Sequence, residues 1–294
     1  MPSTPAPPPV ARVKTIGMMQ PLIWLVQGLR DMVRAGWVSV LQGLALSLAG
    51  ALIIGVAHHR FWLLAGALSG FMVVAPVLAT GLYAISRALE RQEKADVSVL
   101  LKTWLNWQNR RFHRWDADYW CMLRFGLLLG AAASGWVLTS AALITLLAPA
   151  PIHSPLDFVQ HVVLAPDSWL FALWLALGGV LAAPLFASSV LAMPLLLDRR
   201  VSLLQAVLTS WQTVLANPVP MAFWACLIML FTLLGLGSLL LGLIPVIPML
   251  GHASWHAYRD LLDVSALPER EAYSVTSTPS APSTPTSTNA QGSR

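Results

Sequence analysis

Five apolar runs in this chain are each long enough to cross a lipid bilayer. A transmembrane helix needs about 20 predominantly apolar residues. Leu, Ala, Val and Gly dominate the runs, without the alternation that marks the strands of a β-barrel, so the runs predict helices. They lie at 38–57, 61–86, 121–148, 168–197 and 219–251, and the last extends to about 262.

The composition excludes an ordinary soluble domain. Of the 294 residues, 56% are hydrophobic and 11% are charged, whereas about 25% are charged in a typical soluble protein. A soluble chain of this length would need a polar surface that these residues cannot supply. The composition therefore indicates an integral membrane protein.

The positions of the basic residues predict how the chain is oriented. All 18 Lys and Arg residues except Arg60 fall in residues 12–34, 87–124, 199–200 and the part after Tyr258. This is the positive-inside pattern, and it places both termini in the cytoplasm. The basic charge then sets topology and attracts anionic lipid headgroups. Nucleic-acid binding is not expected, because no long basic face is present.

Termini on one side of the membrane require an even number of crossings. The last apolar stretch, 219–262, is long enough for two helices, and small residues and a proline offer a turn within it. We therefore predict an all-α, polytopic membrane protein with six transmembrane helices. The turn residues are Gly235, Gly237, Gly242 and Pro245.

An internal repeat divides the membrane domain, 22–263, into three units. The segment APVLATGLYAI (75–85) resembles APLFASSVLAM (183–193), and VSVLLKTWLNWQ (97–108) resembles VSLLQAVLTSWQ (201–212). A fainter third copy has Pro248 eleven residues before Arg259. Self-similarity of this kind predicts repeated structural units. Each unit is predicted as a hairpin preceded by a short amphipathic cytoplasmic helix, with approximate bounds 22–94, 95–198 and 199–263.

The amphipathic helix of the third unit has the clearest pattern. Ser202 is a suitable cap for its start, and Asn217-Pro218 can end it. The helix is predicted either to lie at the membrane interface or to pack on the cytoplasmic ends of the bundle, and both alternatives stay open. Its apolar stripe has helical spacing: Leu204, Val207, Leu208, Trp211, Val214 and Leu215.

The two ends of the chain differ from the membrane domain. Residues 1–21 form a Pro-rich arm, and 264–294 form a tail rich in Ser, Thr and Pro. Such segments bury too little apolar surface to offset the entropy of ordering, so both are predicted to be disordered.

The segment GHASWHAYRD, residues 251–260, raises the sharpest functional question. His252 and His256 share a helix face and are the weak candidates for a metal or haem site. The alternative, which we favour, is the polar end of the last helix, with Trp255 and Tyr258 anchored at the membrane interface and Arg259 reaching a phosphate. We expect no cofactor and no metal.

An outer loop, HSPLDFVQH (153–161), holds His153, Asp157 and His161 at intervals of four. This spacing suits a divalent cation. The same residues also contain a capping box, with Ser154 as the cap and Asp157 bonding back to it. Capping explains the spacing without a metal, and we favour it.

Two further sets of residues are predicted to act on lipid or on conformation. Basic residues mixed with tryptophan suit contact with anionic lipid, and prolines inside the second helices are candidate hinges or, as we favour, static bends. The lipid-interface set is Trp104, Trp107, Arg110, Arg111, Trp211, Trp255, Tyr258 and Arg259. The hinge set is Pro76, Pro184, Pro194, Pro245 and Pro248.

Three parts of the sequence resemble a bacterial family of predicted integral membrane proteins, domain of unknown function 2189. They are PMLGHASWHAYRDLL (248–262), LANP (215–218) and PLLLDR (194–199), within a similarity over roughly 24–263. The resemblance implies the inner membrane of a Gram-negative bacterium. It implies no activity, so no functional residue is transferred.

The expected function is that of a non-enzymatic membrane component. No ionised residue lies near the middle of a predicted crossing, and no catalytic motif is present. We expect a scaffold or envelope-associated factor that acts through lipid or protein contacts. The alternative is a transporter or channel for a small or apolar solute, and a haem or metal protein comes third.

Overall fold

The computed structural model describes residues 11–57, 78–105, 120–152, 154–165 and 169–270, and these residues are mostly helical. One short antiparallel strand pair joins the two ends of this part of the chain. The elements are β1 (Arg12–Val13), α1 (Gln20–Ala35), α2 (Trp37–Ala57), α3 (Thr80–Glu90), α4 (Val97–Leu105), α5 (Trp120–Leu147), α6 (Pro155–Phe158, continued as a π-helical turn at Val159–Val163), α7 (Trp169–Ser189), α8 (Ala192–Asp198), α9 (Leu203–Ala216), α10 (Pro218–Gly237), α11 (Leu243–Leu261) and β2 (Leu262–Asp263).

Four helical stretches within the described ranges are long and apolar enough to cross a membrane. They are Trp37–Gly55, Arg124–Leu147, Trp169–Asp198 and Pro218–Gly237. Most of their side chains face outward, as lipid-facing side chains do. The all-α, multi-helix membrane class is therefore confirmed. The count of six crossings and the threefold repeat stay predictions, and residues 61–77 of the second apolar run lie outside the described part of the chain.

Helix α11 is the element around which the described helices are arranged. It packs most extensively against α1, and it also contacts α2, α3 and α10. The approach to α1 is closest at Gly28, where a Cβ atom would lie 2.5 Å from the Met249 carbonyl oxygen and 2.6 Å from the Ala253 nitrogen. Only a residue without a side chain fits there, so Gly28 sets the spacing of α1 and α11.

A glycine also makes the corner between α1 and α2. Gly36 has φ 61° and ψ −133°, a backbone conformation that L residues rarely adopt. The two helices are separated by this single residue. The chain therefore turns from α1 directly into the apolar helix α2.

The predicted bounds of α9 are confirmed. The Ser202 hydroxyl accepts a hydrogen bond from the Gln205 backbone N–H at 3.2 Å, and Asn217 ends the helix. The capping box in the outer loop is confirmed as well. The Ser154 N–H donates to Asp157 Oδ2 at 2.9 Å, and the Asp157 N–H donates to Ser154 Oγ at 3.2 Å.

The prediction of disorder is wrong for the inner parts of both tails. β1 pairs with β2, aligning Val13 with Leu262. Asn217 holds the segment after β1, accepting from the Ile16 N–H and donating to the Lys14 carbonyl, both at 2.9 Å. Residues 11–21 are thus held by β2 and Asn217. Residues 264–270 are held by backbone hydrogen bonds to the end of α8, where the Arg270 N–H donates to the Asp198 carbonyl at 2.9 Å and the Arg200 N–H donates to the Pro268 carbonyl at 3.0 Å. Residues 1–10 and 271–294 lie outside the described ranges.

The candidate hinge prolines fall in different surroundings. Pro184 lies inside α7, Pro194 is buried in α8, and Pro245 and Pro248 lie in α11. The helix breaks between α7 and α8, at Val190 and Leu191, rather than at either proline. Pro76 lies outside the described residues. Whether any of these positions moves stays a prediction.

Candidate functional site

The segment 251–260 forms the second half of α11, and its polar side chains bond to other elements of the protein. Six of these side chains form a hydrogen bond with a residue on another helix: His252, Trp255, His256, Tyr258, Arg259 and Asp260. The partners come from α1, α2, α3 and α8. This part of α11 therefore joins four other helices through polar contacts.

Two of these side chains, together with one residue each from α1, α2 and α3, form what we call the histidine cluster: Asp31, Ser39, Ser86, His252 and His256. His252 is fully buried, with Nε2 2.8 Å from Ser39 Oγ and Nδ1 2.7 Å from Ser86 Oγ. Ser86 Oγ donates to Asp31 Oδ2 at 2.9 Å, and His256 Nε2 lies 2.8 Å from the same carboxylate oxygen. The cluster is thus one continuous chain of hydrogen bonds.

The hydrogen bonds determine where the protons lie. A serine hydroxyl has one hydrogen, and that of Ser86 is donated to Asp31. Ser86 Oγ must therefore accept from Nδ1–H of His252. In a neutral imidazole the other nitrogen is then an acceptor, so Nε2 of His252 accepts from the Ser39 hydroxyl. The pattern fits a neutral His252 with its proton on Nδ1.

The charge of the cluster is concentrated on Asp31. Burial raises the pKa of this carboxyl, but the hydrogen bond and the charge of His256, together with the hydroxyl of Ser86, hold the pKa below its ordinary value. Asp31 is only 5% exposed. A buried carboxylate is stable because its partners compensate for lost hydration.

A second group, the arginine cluster, surrounds the buried carboxylate of Asp198. Its Oδ1 lies 3.0 Å from Arg87 Nε, and its Oδ2 lies 3.0 Å from Arg199 Nε. Tyr258 donates to Oδ2 at 2.8 Å. The outer members of the cluster are Arg91 and Glu269, paired at 2.9 Å.

The pKa of one arginine in this cluster is shifted by two opposing causes. Burial lowers the pKa of Arg199, but the adjacent Asp198 carboxylate more than compensates, and the pKa stands above its ordinary value. The guanidinium group therefore stays charged. The buried carboxylate of Asp198 needs this positive charge beside it, because a buried charge without a partner is strongly destabilising.

The assignment of Trp255 and Tyr258 as interface anchors is wrong. Trp255 is 1% exposed and Tyr258 is fully buried. The Trp255 indole donates to Glu90 Oε2 at 3.0 Å instead of reaching a membrane surface. Arg259 also pairs with Glu90, with 2.8 Å between Nη2 and Oε1, so a carboxylate occupies the place expected for a phosphate.

A metal site at His252 and His256 would need at least a third ligand, and the described residues supply none. In the described part of the chain, no group of three or more His, Cys, Asp or Glu side chains could hold a metal ion. Both ring nitrogens of His252 face serine hydroxyls, which are poor ligands for the metals that prefer imidazole. His153 lies outside the described residues.

The hydrogen-bonded chain ends beside a polar face of α2. Ser39 and Gln42 lie one turn apart, Ser47 follows further along, and all three are buried. Gln42 donates to the Leu78 carbonyl at 3.0 Å. Within the described residues, Gln42 Oε1 and Ser47 Oγ are buried without a hydrogen-bond partner. Such atoms are costly to bury, so they mark a place with unused hydrogen-bonding capacity.

The orientation of α9 is opposite to that of an ordinary surface helix. Its small and polar residues Thr209, Ser210 and Thr213 are buried against the protein. The apolar stripe faces outward: Leu204 is 68% exposed and Leu215 is 70% exposed. The small polar side of α9 thus packs on neighbouring helices, and its apolar side is left uncovered; contact of that side with the membrane interface stays a prediction.

Trp211 is half-buried at the side of the same helix, and its indole donates to Ser188 Oγ at 2.9 Å. Trp104 lies within α4, but the structure does not describe its side chain. Trp107, Arg110 and Arg111 also lie outside the described ranges. Their role at the lipid interface stays a prediction.

Helix α1 repeats the arrangement of α9. Its buried side carries Trp24, Gly28 and Asp31. Its outward side is apolar and ends in two exposed arginines, Arg30 and Arg34. The outward apolar residues are Leu22, Ile23, Val26, Leu29 and Val33, followed by Trp37 at the start of α2.

Sequence reasoning identified the histidines but missed their partners. Asp31 had a usable signal, since it follows Trp24 and Gly28 at helical spacing on one face of α1. The sequence also contained a signal for Asp198, because the internal repeat aligns this residue with another acidic residue, Glu90. Ser39 and Ser86 had none, since small residues are common throughout apolar helices.

The comparisons with known proteins agree with the membrane class. The family model described as "Predicted integral membrane protein (DUF2189)" matches residues 63–198. The resemblance predicted over 24–263 is confirmed for this part, which includes Asp198 and excludes segment 251–260. No curated protein and no solved structure matches the chain.

Proposed function

We propose that this integral membrane protein is a non-catalytic component of the bacterial inner membrane that binds the cytoplasmic lipid surface through α1 and α9. The apolar helices and the family match over 63–198 support the membrane setting. The distribution of Lys and Arg supports cytoplasmic termini and six crossings, with α10 and α11 as the last hairpin.

The orientation of α9 is the observation that carries the proposal. A helix in water turns its polar side outward, whereas α9 buries Thr209, Ser210 and Thr213 and exposes Leu204, Leu208 and Leu215. This is the arrangement of a helix whose outer medium is apolar. Since α9 leads into α10 and α1 leads into α2, both helices lie where the chain enters the membrane.

Charge supports anionic lipid as the partner. Arg30 and Arg34 are exposed on α1 beside its apolar face. Each Lys or Arg near an anionic membrane surface contributes about 1 kcal/mol of attraction. A scaffold that holds its amphipathic helices on the headgroup layer needs this combination of apolar contact and positive charge.

The Ser39–His252 pair does not argue for an enzyme. Its 2.8 Å contact is that of a serine nucleophile and its general base. However, both side chains are fully buried, so a lipid or peptide substrate cannot reach the hydroxyl. This burial supports a non-catalytic role.

The experiment is native mass spectrometry of the protein released from nanodiscs of mixed phosphatidylglycerol and phosphatidylcholine. We expect retained phosphatidylglycerol on the wild type, and less on Arg30→Gln/Arg34→Gln. Arg12→Gln, which removes an exposed charge from β1, is the matched control. Equal retention of both lipids, unchanged in the double variant, would contradict the proposal.

A further inference from the structure

The two carboxylates of the arginine cluster differ in exposure. The Asp198 side chain is 3% exposed and holds Arg87 and Arg199 through their Nε atoms. The Glu269 side chain is 55% exposed, and its two oxygens contact two different guanidinium groups. Oε2 lies 2.9 Å from Arg91 Nη2, and Oε1 lies 3.3 Å from Arg199 Nη2. One carboxylate thus bridges Arg91 and Arg199 at a place that solvent reaches.

Glu269 is a weakly held occupant of this place. An ion pair that is open to water contributes little to stability, because water screens the charges. The backbone around Glu269 is held independently of its side chain, since the Arg270 N–H donates to the Asp198 carbonyl and the Arg200 N–H donates to the Pro268 carbonyl. Glu269 therefore leaves the two arginines by rotation of one exposed side chain.

The cluster also carries more positive than negative charge. Arg270 adds a fourth guanidinium group, and its Nη2 donates to the Arg199 carbonyl at 3.3 Å. Four guanidinium groups therefore stand beside the two carboxylates of the cluster in the described part of the chain. Since arginine stays protonated in proteins, a dianion in the place of the Glu269 carboxylate would balance this charge better than the carboxylate does.

Phosphate monoesters have the required charge and shape. They carry a charge of about −1.5 to −2 at pH 7, and guanidinium groups bind phosphate and carboxylate oxygens with the same geometry. Arg91 and Arg199 already point one nitrogen each at the two oxygens of a single anionic group. A phosphate that replaces this group finds both donors in position.

We propose that Arg91 and Arg199 form a binding site for a phosphate monoester, and that Glu269 occupies this site as a built-in competitor when no ligand is bound. The site goes beyond the lipid-binding role of α1 and α9 and does not depend on it. Glu269 sets the affinity of the site, because a ligand has to displace its carboxylate.

The ligand has two chemical sources. Arg199 lies three positions before Ser202, which caps the start of α9. Since we place α9 at the membrane surface, one source is a lipid whose headgroup is a phosphate monoester, such as phosphatidate. The other source is a soluble phosphate ester. The two sources present the same group to the arginines, and separate measurements distinguish them.

Isothermal titration calorimetry tests the soluble source. Glycerol 3-phosphate is titrated into the protein in phosphatidylcholine nanodiscs. If the ligand is soluble, Glu269→Gln binds at least tenfold more tightly than the wild type, because the competing carboxylate is gone. The matched control is Asp263→Asn, which removes a carboxylate opposite Arg12 in the strand pair and should bind as the wild type does.

Native mass spectrometry tests the lipid source. The protein is released from nanodiscs that contain phosphatidate, phosphatidylglycerol and phosphatidylcholine. If the ligand is a lipid, Glu269→Gln retains several-fold more phosphatidate than the wild type or Asp263→Asn, whereas retention of phosphatidylglycerol, a phosphate diester, stays the same. A gain in either measurement supports the site and identifies its source. No gain in both measurements overturns the proposal.

A double variant separates a bound phosphate from a general change in charge. Glu269→Gln/Arg91→Gln has the net charge of the wild type but lacks one guanidinium group of the site, so the gain should disappear. The matched control is Glu269→Gln/Arg12→Gln, which has the same net charge and should keep the gain. Arg91 and Glu269 lie at the solvent-exposed side of the cluster, with side chains 31% and 55% exposed, so both double variants are expected to fold. A gain that persists without Arg91 contradicts the site.

Discussion

Tyr258 donates a hydrogen bond to Asp198 across 2.8 Å, and both side chains are buried. Tyr258 belongs to α11, the last helix in the described part of the chain, whereas Asp198 ends α8, sixty positions earlier. The same carboxylate holds Arg87 from α3 and its neighbour Arg199. Three segments that are distant in sequence are therefore fixed at one charged group.

Removing that carboxylate is expected to destabilise the protein strongly. Asp198→Asn leaves buried guanidinium groups without their counter-charge, which typically costs about 3–5 kcal/mol. We expect a clearly lower unfolding temperature in detergent, followed by intrinsic tryptophan fluorescence. Asp263→Asn, at the half-buried end of β2 and away from the arginine cluster, is the control and should have little effect. Equal unfolding temperatures for the two variants would refute the central position of Asp198.

Tyr258→Phe tests the hydroxyl alone. A hydrogen bond to a charged group contributes about 1.5–3 kcal/mol, and the ring of Tyr258 keeps its packing against Trp255, with the ring centroids 5.2 Å apart. The variant is expected to fall between the wild type and Asp198→Asn in the same unfolding measurement. A decrease in unfolding temperature as large as that of Asp198→Asn would indicate that Tyr258 stabilises the protein through more than this hydrogen bond.

Acid is expected to weaken the histidine cluster through Asp31. The pKa of Asp31 is lower in the folded protein than its ordinary value of 3.8. Its ionised form therefore contributes stability above pH 3.8, and that contribution is lost as pH falls through the folded-state pKa. Unfolding temperatures measured from pH 6 to pH 3 should drop less steeply in Asp31→Asn than in the wild type. Parallel curves would contradict this assignment.

The close contact of α1 with α11 predicts a specific glycine effect. In Gly28→Ala the new methyl group meets the Met249 carbonyl oxygen at 2.5 Å and the Ala253 nitrogen at 2.6 Å, and these backbone atoms cannot move aside easily. Overpacking of this kind costs about 1–3 kcal/mol. Gly179→Ala, where nothing lies within 4 Å, is the matched control. Thermal unfolding of the two variants should separate them, and a neutral Gly28→Ala would show that α1 can shift away from α11.

The ordered N-terminal segment should depend on one side chain. Asn217 accepts from the Ile16 N–H and donates to the Lys14 carbonyl, so Asn217→Ala removes both bonds. We expect faster hydrogen exchange for the amide of Ile16, whose acceptor is lost, with little change in α11. Ser238→Ala, at the far end of α10, provides the comparison. Unchanged exchange at Ile16 would mean that the β1–β2 pairing alone orders this segment.

The local features of the fold were predictable from the sequence because their causes are local. Ser202 and Asn217 bound α9, and Ser154 with Asp157 forms a capping box, since each arrangement needs only residues a few positions apart. The apolar runs likewise predicted membrane helices, because length and composition alone decide that property.

The surroundings of segment 251–260 were not predictable in the same way. Trp255 and Tyr258 at a helix end resemble interface anchors, and their burial depends on carboxylates at Glu90 and Asp198. The pairing of β1 with β2 was hidden for the same reason, since Val13 and Leu262 lie near opposite ends of the described part of the chain. Such long-range contacts leave no periodic signal in a single sequence.

The depth of α9 tests the proposed membrane-surface role most directly. A fluorophore is attached at Leu208→Cys or, as the control, at Glu93→Cys in the exposed turn after α3, in a protein whose Cys121 and Cys226 are replaced by serine. Quenching by lipids brominated along the acyl chain is then measured in nanodiscs. Strong quenching is expected at position 208 and weak quenching at position 93, because the outward apolar side of α9 faces lipid and the turn after α3 faces water. Weak quenching at both positions, with ready access of a water-soluble quencher to 208, would contradict it.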